Sequence, residues 1–526
     1  MSDENLVSLD EKRKARKTGA SKQSVKDLQS RMAALNKEFA VVLIGGRALV
    51  LHEAIDAFGK DVVDYLSVSS LRTWLETERV FDPETERFVG VGDIWLKNPL
   101  RRQFCGVAFA PEGAPAKFYN LWRGFTVEPA AAYDDPREHK RHFATFFDHI
   151  ERNVARGDRS LARWVWGWFA HMIQRPTERI GTALVLRGKQ GAGKTKPGEI
   201  IGSLIGQHWV LIDDPKHLVG SFNAHMVSCM LLQADEGFWA GDKTAEGRLK
   251  GLVTSKIHLI EKKGVDAIQV RNLIRLLVTS NNDWVVPAGM EERRFAVLDV
   301  GDENMQDRAF FKKMDDELAA GGREHLLTYL MRFDLSKVDV REIPNTEGLY
   351  EQKVASMSEF QSWWFDRLRS GKLLPQHGKW QTEVPVDPLY QSYLTYSERM
   401  SKGRRMGKEQ FGLALRKIVP ERGFKLGQKI WVQVYGEAGE EIRNADGSLS
   451  RRRVNGYHMP GLDACRDLFC EQIRWKIEWG DEEPGSGDPP PSDGAEAGVI
   501  SGGGDTASGG EWRIPSRDGD FDLTDD

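Results

Sequence analysis

The residues with the clearest chemical potential lie in the segment LRGKQGAGKTKPGEI, at residues 186–200. This segment contains the pattern G-x-x-x-x-G-K-T, whose backbone N–H groups and lysine are suited to holding the phosphates of a nucleotide. The apolar stretch TALVLRG (182–188) precedes the loop, and GEIIGSLIG follows it with the spacing of a helix. A strand, a glycine loop and a helix in this order form the context in which such a pattern binds a nucleotide.

Each residue type in the loop has an expected role in binding ATP and Mg²⁺. The glycines would let backbone N–H groups point at the phosphates, and they are Gly188, Gly191 and Gly193. We expect Lys194 to place its ammonium group on the β- and γ-phosphates, and Thr195 to place its hydroxyl on Mg²⁺.

Two further apolar stretches are expected to be strands that end beside this loop. The stretch SCMLLQADEGFW (228–239) ends in an acidic pair, which transfer of a phosphoryl group from ATP to water requires. Asp235 would help to hold Mg²⁺, and Glu236 would polarise the attacking water. The stretch LIRLLVTSNNDW (273–284) ends near Asn281, whose amide can hydrogen-bond the γ-phosphate or the water.

Two adjacent arginines, Arg293 and Arg294, follow in the sequence EERRF, just before the apolar stretch FAVLDV. The residues alone leave two interpretations open. The arginines could pair with Glu291 and Glu292, or one of them could reach the ATP of a neighbouring subunit and stabilise charge on the transferring phosphoryl group.

The segment SKIHLIEKKGVDAIQVRNLIR (255–275) predicts a hairpin with positive charge at its turn. Lys262 and Lys263 lie at the turn, and with Arg271 they are our candidate DNA-binding residues. Lysine point charges suit contacts with phosphates that do not depend on base sequence. A solvated turn is the alternative interpretation.

The composition describes a water-soluble protein with an uneven distribution of charge. Of the 526 residues, 40% are hydrophobic, and no apolar run approaches the length needed to span a bilayer. The four cysteines are scattered and form no C-x-x-C pair, so we expect a reducing, cytoplasmic location and no membrane partner. Residues 481–526 carry a charge of −11 within a total of −4, so the rest of the chain carries +7, which permits a nucleic-acid partner without requiring one.

The order of these motifs resembles that of the superfamily 3 helicases of viruses and plasmids. It resembles most closely the poxvirus-type primase-helicases of phages and the helicase portion of phage primase-polymerases. The most telling stretches are FNAHMVSCMLLQADEGFWAGDKTAEGRLKGLVT and NNDWVVPAGMEERRFAVLDV. Shorter matches upstream and downstream are YNLWRGF, MIQRP, LYQSYLTYSE and YHMPGLDACRDLF, so the resemblance spans residues 35–475.

The resemblance implies an AAA+ variant that assembles as a homo-hexameric ring around single-stranded or forked DNA, with ATP bound between subunits. Lys194 and Thr195 then correspond to Walker A, Asp235 and Glu236 to Walker B, and Asn281 to sensor 1. Arg294 is the first choice for the arginine finger and Arg293 the second. The hairpin that carries Lys262 and Lys263 would project into the central channel.

The fold class that we expect is α/β, with a P-loop AAA+-like motor, an N-terminal α+β and helical region and a C-terminal winged-helix-like domain. The expected boundaries are a disordered basic arm at 1–30, the N-terminal region at 31–177, the motor at 178–338, the winged-helix-like domain at 339–478 and a disordered acidic tail at 479–526. Within these regions, Gly45 and Gly46 predict a hairpin turn. Trp164, Trp166 and Trp168 are expected in the core or in contacts between subunits rather than in a ligand site. The segment EVPVDP is interpreted as a linker before two helices and a strand.

Two functions are compatible with these features. The first is an ATP-dependent DNA helicase of a phage, prophage or plasmid replicon, without its own primase-polymerase domain and with a separate primase or polymerase as a possible partner. About 150 residues precede the motor, and they show neither a zinc-type cysteine cluster nor a clear set of metal-binding carboxylates. The second is an ATP-switched scaffold that binds origin DNA or loads other proteins and unwinds little.

Overall fold

The computed structural model describes residues 26–480, apart from gaps at 58, 60, 83–86, 134, 215–216, 219, 221–222, 236–242, 263–264, 376, 401–404 and 434–441. The described residues up to Trp479 belong to one compact unit. Residues 26–38 are helical (α1), so the last five residues of the predicted basic arm lie in a helix. The rest of that arm and the predicted acidic tail from 481 lie outside the described residues. None of the described helices combines the length and apolar character needed to cross a membrane.

The N-terminal region is built on the predicted hairpin, whose turn is Gly45-Gly46. Both glycines have positive φ, at 56° and 77°, which a residue without a Cβ adopts readily. The hairpin strands belong to a four-stranded sheet with the order β3-β2-β1-β6. The elements of this region are β1 Phe39–Ile44, β2 Arg47–Ile55, β3 Asp61–Leu66, α2 Val68–Trp74, β4 Arg79–Asp82, β5 Arg87–Gly90, α3 Val91–Lys97, β6 Gln103–Phe104, β7 Gly106–Ala108 and β8 Phe118–Asn120.

A helical segment joins this region to the central sheet. It contains a 3₁₀ helix (Pro136–Phe143), α4 (Ala144–Asp148), a π-helical stretch (His149–Val154) and α5 (Arg159–Gln174). Asp158 caps α5 by accepting hydrogen bonds from the backbone of Ser160 and Leu161. The three tryptophans of α5 are buried in the core, which is one of the two environments expected for them: Trp164, Trp166 and Trp168.

The centre of the molecule is a five-stranded parallel sheet with the order β10-β11-β14-β9-β15. The three predicted strands around the glycine loop and the apolar strand FAVLDV are all present in it. The apolar residues of β9 are fully buried, as expected for a parallel strand that is covered on both faces. The elements are β9 Ala183–Arg187, α6 Lys196–Ile205, β10 Trp209–Ile212, β11 Leu231–Asp235, α7 Lys243–Thr254, β12 Ile257–Lys262, β13 Val265–Arg271, β14 Arg275–Ser280, β15 Phe295–Asp299, α8 Arg308–Glu317 and α9 Arg323–Arg332.

The C-terminal part has its own aromatic core, which includes Trp363, Trp364, Tyr393 and Phe411. A three-stranded sheet with the order β16-β18-β17 packs with the helices, and the two helices followed by strands that the sequence predicts are present. The elements are α10 Glu347–Ala355, α11 Glu359–Ser370, β16 Glu383–Pro385, α12 Val386–Met400, α13 Lys408–Ile418, β17 Lys425–Gln433, β18 Arg451–His458 and α14 Leu462–Ile473.

The segment EVPVDP is not a linker, so that interpretation was wrong. Its first three residues form β16, and the rest begin α12. Val384 is fully buried because it pairs with Tyr457 of β18 and packs in the C-terminal core. The prolines suggested a linker, but a short edge strand accommodates proline as well.

The buried histidines include three whose pKa is strongly lowered, so that they are neutral rings: His149, His171 and His208. Burial disfavours the imidazolium ion and lowers the pKa of each to about 4. The neutral tautomer of His208 is held on both sides, because its Nδ1 donates to the carbonyl of Ser228 (2.8 Å) and its Nε2 accepts from the backbone of Arg123 (3.1 Å).

We expect the free energy of unfolding to fall as the pH is lowered from 7 to 5. The unfolded chain takes up protons on these histidines near pH 6.5, whereas the folded chain does not until about pH 4. At pH 5 the loss would be about 2 kcal/mol for each histidine. Urea denaturation at several pH values measures it. His208→Gln should reduce the pH dependence and His377→Gln, at an exposed position, should not; equal stability at pH 7 and pH 5 would contradict the prediction.

Candidate nucleotide site

The candidate site lies where the carboxyl ends of three parallel strands meet. Strand β14 pairs with β9 on one side and with β11 on the other, so the glycine loop, Asp235 and Asn281 come to the same edge of the sheet. The register places Asp235 beside Thr279 and Arg187 beside Ser280. The backbone N–H of Gly188 donates to the carbonyl of Ser280 (3.2 Å), which fastens the start of the loop to the end of β14.

Lys194 is held at the centre of this edge. Its Nζ donates to Oδ1 of Asn281 (2.5 Å) and to the carbonyl of Lys189 (2.7 Å), and the residue is only 6% exposed. The structure therefore brings together two side chains, Lys194 and Asn281, that are 87 residues apart in the sequence and that we assigned to the same phosphate group.

Hydrogen bonds from side chains of two strands position Asp235 and Thr195: β14 contacts Asp235, and β11 contacts Thr195. The hydroxyl of Thr279 donates to Oδ1 of Asp235 (2.5 Å), and the amide of Gln233 donates to the carbonyl of Thr195 (3.2 Å). Gln233 is fully buried and also accepts from the indole of Trp209 (3.0 Å), so its orientation is fixed. A polar side chain inside an otherwise apolar strand was a signal in the sequence that we did not use.

A cavity of about 710 Å³ opens at this edge. It is lined on one side by the glycine loop and Asp235, and on the other by the start of α8 and the turn before it. The lining residues include Gly191, Gly193, Lys194, Thr195, Lys196, Glu199, Asp235, Gln306, Arg308, Phe311, Lys312 and Asp315. Among the residues that the structure describes, no group of three or more His, Cys, Asp or Glu side chains is arranged to hold a metal ion.

Glycine is required at two positions of the loop. Gly191 and Gly193 both have φ of 83°, in the left-handed region that other residues adopt rarely. A Cβ on Gly193 would lie 2.7 Å from ring atoms of His149 and Phe311. The loop is therefore closely packed from behind as well as conformationally restricted.

The side chains behind the loop are His149 and Asn153, which the sequence analysis missed. The Nε2 of His149 donates to the carbonyl of Gly193 (3.1 Å), and the amide of Asn153 donates to the carbonyl of Ala192 (2.9 Å). The same amide lies 3.3 Å from Nδ1 of His149, which supports the tautomer that carries its proton on Nε2. Both residues lie in the π-helical stretch, so this segment hydrogen-bonds the loop backbone directly.

Helix α10 contacts the segment that follows β14 and the last residue of β9, next to the candidate site. Oε1 of Gln352 accepts from the backbone of Val285 (2.6 Å) and of Val286 (3.2 Å), in the segment that follows Asn281. The preceding residue, Glu351, pairs with Arg187 at the end of β9. Sequence patterns could not identify these contacts because more than 60 residues separate the partners.

Arg293 and Arg294 lie at the opposite edge of the sheet. They precede β15, and the carbonyl of Arg294 accepts from the backbone of Ala183 at the first residue of β9. The side chain of Arg293 is exposed. That of Arg294 is 26% exposed and lies 3.4 Å from the buried carboxylate of Glu292, which also accepts from both arginine backbones.

The predicted hairpin is present as the antiparallel pair β12 and β13, in which Lys262 pairs with Val265. Arg271 ends β13 and is exposed. Lys263 at the turn and Glu236 after β11 lie outside the described residues, so their roles stay predictions.

Residues 186–294 match the model of a family of unknown function (DUF5906). The chain is also similar to the DNA primase-polymerase of Nitratiruptor phage NrS-1, with 20% identity over 211 residues. The match covers 38% of this chain and 29% of the phage protein, so the chain spans less than a third of that relative.

Two solved structures of the C-terminal region of the NrS-1 protein have the same fold. One apo structure has a TM-score of 0.52 at 17% identity, and an A-form apo structure has a TM-score of 0.52 at 18% identity. Each match covers 81% of this chain and 98% of the solved chain. The fold described above is thus shared with almost the whole of that region.

We expect Asn153→Ala to destabilise the protein by about 1–3 kcal/mol, because it leaves the buried carbonyl of Ala192 without its donor. Urea denaturation measures the loss. Asn345→Ala, at an exposed asparagine, is the matched control and should change the stability by less than about 0.5 kcal/mol. Equal stabilities of the two variants would show that the contact does not support the loop.

Proposed function

We propose that this chain is an ATP-dependent, ring-forming DNA helicase that acts in the replication of phage, prophage or plasmid DNA. The observation that carries the proposal is the convergence of four residues on one edge of the parallel sheet: Lys194, Thr195 and Asp235 line one cavity, and Asn281 hydrogen-bonds Lys194. A phosphate-binding lysine, an amide and a carboxylate at this edge form the set that hydrolysis of a nucleoside triphosphate requires.

ATP and Mg²⁺ fit the residues that line the cavity. The two glycines with positive φ leave room for phosphates against the backbone, and Lys194 supplies a buried positive charge. Thr195 and Asp235 would hold Mg²⁺, which proteins commonly bind through one or two oxygen ligands together with substrate phosphates. When bound there, the ion would neutralise negative charge on the phosphates.

The protein groups would then act in defined roles. Lys194 would donate to phosphate oxygens in place of the carbonyl of Lys189, to which it donates now. Asn281, beside it, would orient the terminal phosphate or the attacking water, and Glu236 would accept a proton from that water. Thr279 and Gln233 hydrogen-bond Asp235 and Thr195, and they would act on the substrate through these residues.

The position of the arginines supports an assembly of several subunits. Strand β9 is five residues long and separates Arg294 from the glycine loop, a distance of about 16 Å. Neither arginine is therefore placed to contact a nucleotide bound to its own glycine loop. Arg293 or Arg294 would instead reach the ATP of a neighbouring subunit, as a hexameric ring requires.

The similarity to a phage primase-polymerase supports a role in DNA replication. The shared fold is that of the C-terminal region of the relative, and the order of α11, α12, α13, β17 and β18 supports a winged-helix-like unit after the motor. We assign no primase-polymerase activity to this chain, and a separate primase or polymerase is a candidate partner. Template-dependent incorporation of nucleotides by the pure protein would contradict that assignment.

Lys194→Ala should abolish ATP hydrolysis and the displacement of a strand from forked DNA. Among the described residues that line the cavity, Lys194 is the only buried lysine, so the variant removes the buried positive charge that would contact the phosphates. The loss should exceed about a hundredfold. A strand-displacement assay with and without ATP measures it, and Lys189→Ala, at an exposed lysine of the same loop, is the control. If the wild type binds forked DNA in an ATP-dependent manner but displaces no strand, the chain is a loading scaffold instead.

The double variant Lys262→Ala, Lys263→Ala should retain basal ATP hydrolysis but lose its stimulation by DNA and its strand displacement. The hairpin lysines would no longer contact the phosphates of the translocating strand. The control is Lys37→Ala with Lys97→Ala, which removes the same charge from exposed positions elsewhere. Unchanged strand displacement by the hairpin variant would rule out the assignment.

A further inference from the structure

The antiparallel strands β17 and β18 present a distinctive set of side chains on one of their faces. Register and alternation place Lys429 and Trp431 of β17 on the same face as Arg451 and Arg453 of β18. We call these four residues the wing face. Trp431 lies directly opposite Arg453, and all four side chains are exposed.

Trp431 is unusual for its exposure. It is 58% exposed, whereas Trp363 and Trp364 of the neighbouring core are fully buried. The guanidinium carbon of Arg453 lies 5.7 Å from the centre of its ring. An exposed indole beside a guanidinium offers a flat stacking surface and a phosphate contact at the same place.

The charge of the wing face is positive. Lys429, Arg451 and Arg453 supply three cations around the indole. Among the described residues between these strands the acidic side chain is Asp446, whose carboxylate accepts from the backbone and hydroxyl of Ser448. The remaining acids of this connection, Glu437, Glu440 and Glu441, lie outside the described residues.

The wing face continues toward a basic helix. Further along the same face of β18, the hydroxyl of Tyr457 lies against α13, 3.2 Å from the position that a Cβ on Gly412 would take. The exposed side of α13 carries Arg416 and Lys417. A polyanion that contacts the wing face therefore finds further positive charge on the same side of the sheet.

We propose that the wing face binds single-stranded DNA, with Trp431 stacked on a base and Lys429, Arg451 and Arg453 in contact with phosphates. Single strands are favoured over duplex because only an unpaired base offers its face to an indole. The proposal extends the proposed helicase function by adding a second DNA contact outside the ring channel. It does not require ATP hydrolysis.

The test is fluorescence anisotropy of a labelled oligothymidine of about 20 nucleotides with the full chain, in the absence of nucleotide. We expect Trp431→Ala to weaken binding at least about fivefold and Trp431→Phe to retain most of it. Arg451→Ala and Arg453→Ala, made singly, should each weaken binding and reduce the slope of log affinity against log salt by about 0.7. These positions are exposed, so the variants should fold.

Two matched controls distinguish the wing face from general effects. Arg452→Ala removes the same charge from the same strand on its opposite face, and Trp74→Ala removes a tryptophan that is 69% exposed elsewhere. Both should bind the oligonucleotide within twofold of the wild type. The loss caused by Trp431→Ala should persist when Lys262 and Lys263 are also alanine, because the two contacts are separate.

Several outcomes would overturn the proposal. They are an affinity of Trp431→Ala within twofold of the wild type, an equal loss for Arg452→Ala and Arg453→Ala, or an equal loss on a blunt hairpin duplex. A change in sedimentation without a change in DNA affinity would make the wing face a contact between copies of the chain. All of these measurements are repeated in the Lys194→Ala background. They therefore test DNA binding by the wing face whether or not the chain is a helicase.

Discussion

Strand β14 is the element on which the candidate site depends. It lies between the strand that leads into the glycine loop and the strand that ends in Asp235, and it pairs with both in parallel register. Adjacent strands are about 4.8 Å apart, so this position alone places Asn281 between the loop and the carboxylate. The bonds from Lys194 to Asn281 and from Thr279 to Asp235 follow from it. A slip of one residue would turn these side chains to the other face of the sheet.

The loop itself is held by parts of the chain that lie outside the sheet. His149 and Asn153 hydrogen-bond its backbone carbonyls from the π-helical stretch, and α10 contacts both Arg187 and the segment after Asn281. Because these contacts are buried or partly buried, movement of the helical segment or of α10 changes the position of the groups that would contact phosphates. In the proposed helicase, this arrangement links the nucleotide site to the regions before and after the motor.

The two edges of the parallel sheet have different chemistry. The carboxyl edge carries the lysine, the amide and the carboxylate, and the amino edge carries Arg293 and Arg294. A single chain cannot bring these edges together, because the strands between them are rigid and about 16 Å long. The proposed ring resolves this separation by placing the amino edge of one subunit beside the carboxyl edge of the next.

The sequence by itself determined the local elements and identified the candidate phosphate-binding residues. Apolar runs, the glycine loop and the residues after each strand identified β9, β11 and β14 with the side chains at their ends, because these signals are contiguous in the chain. The prolines of EVPVDP misled the analysis, since a short edge strand and a linker have the same local pattern. Only the tertiary structure decided that Asn281 hydrogen-bonds Lys194, that His149 and Asn153 support the loop, and that Trp431 is exposed beside Arg453. Each of these depends on contacts between distant segments, and periodicity within one segment carries no information about the partner that another segment supplies.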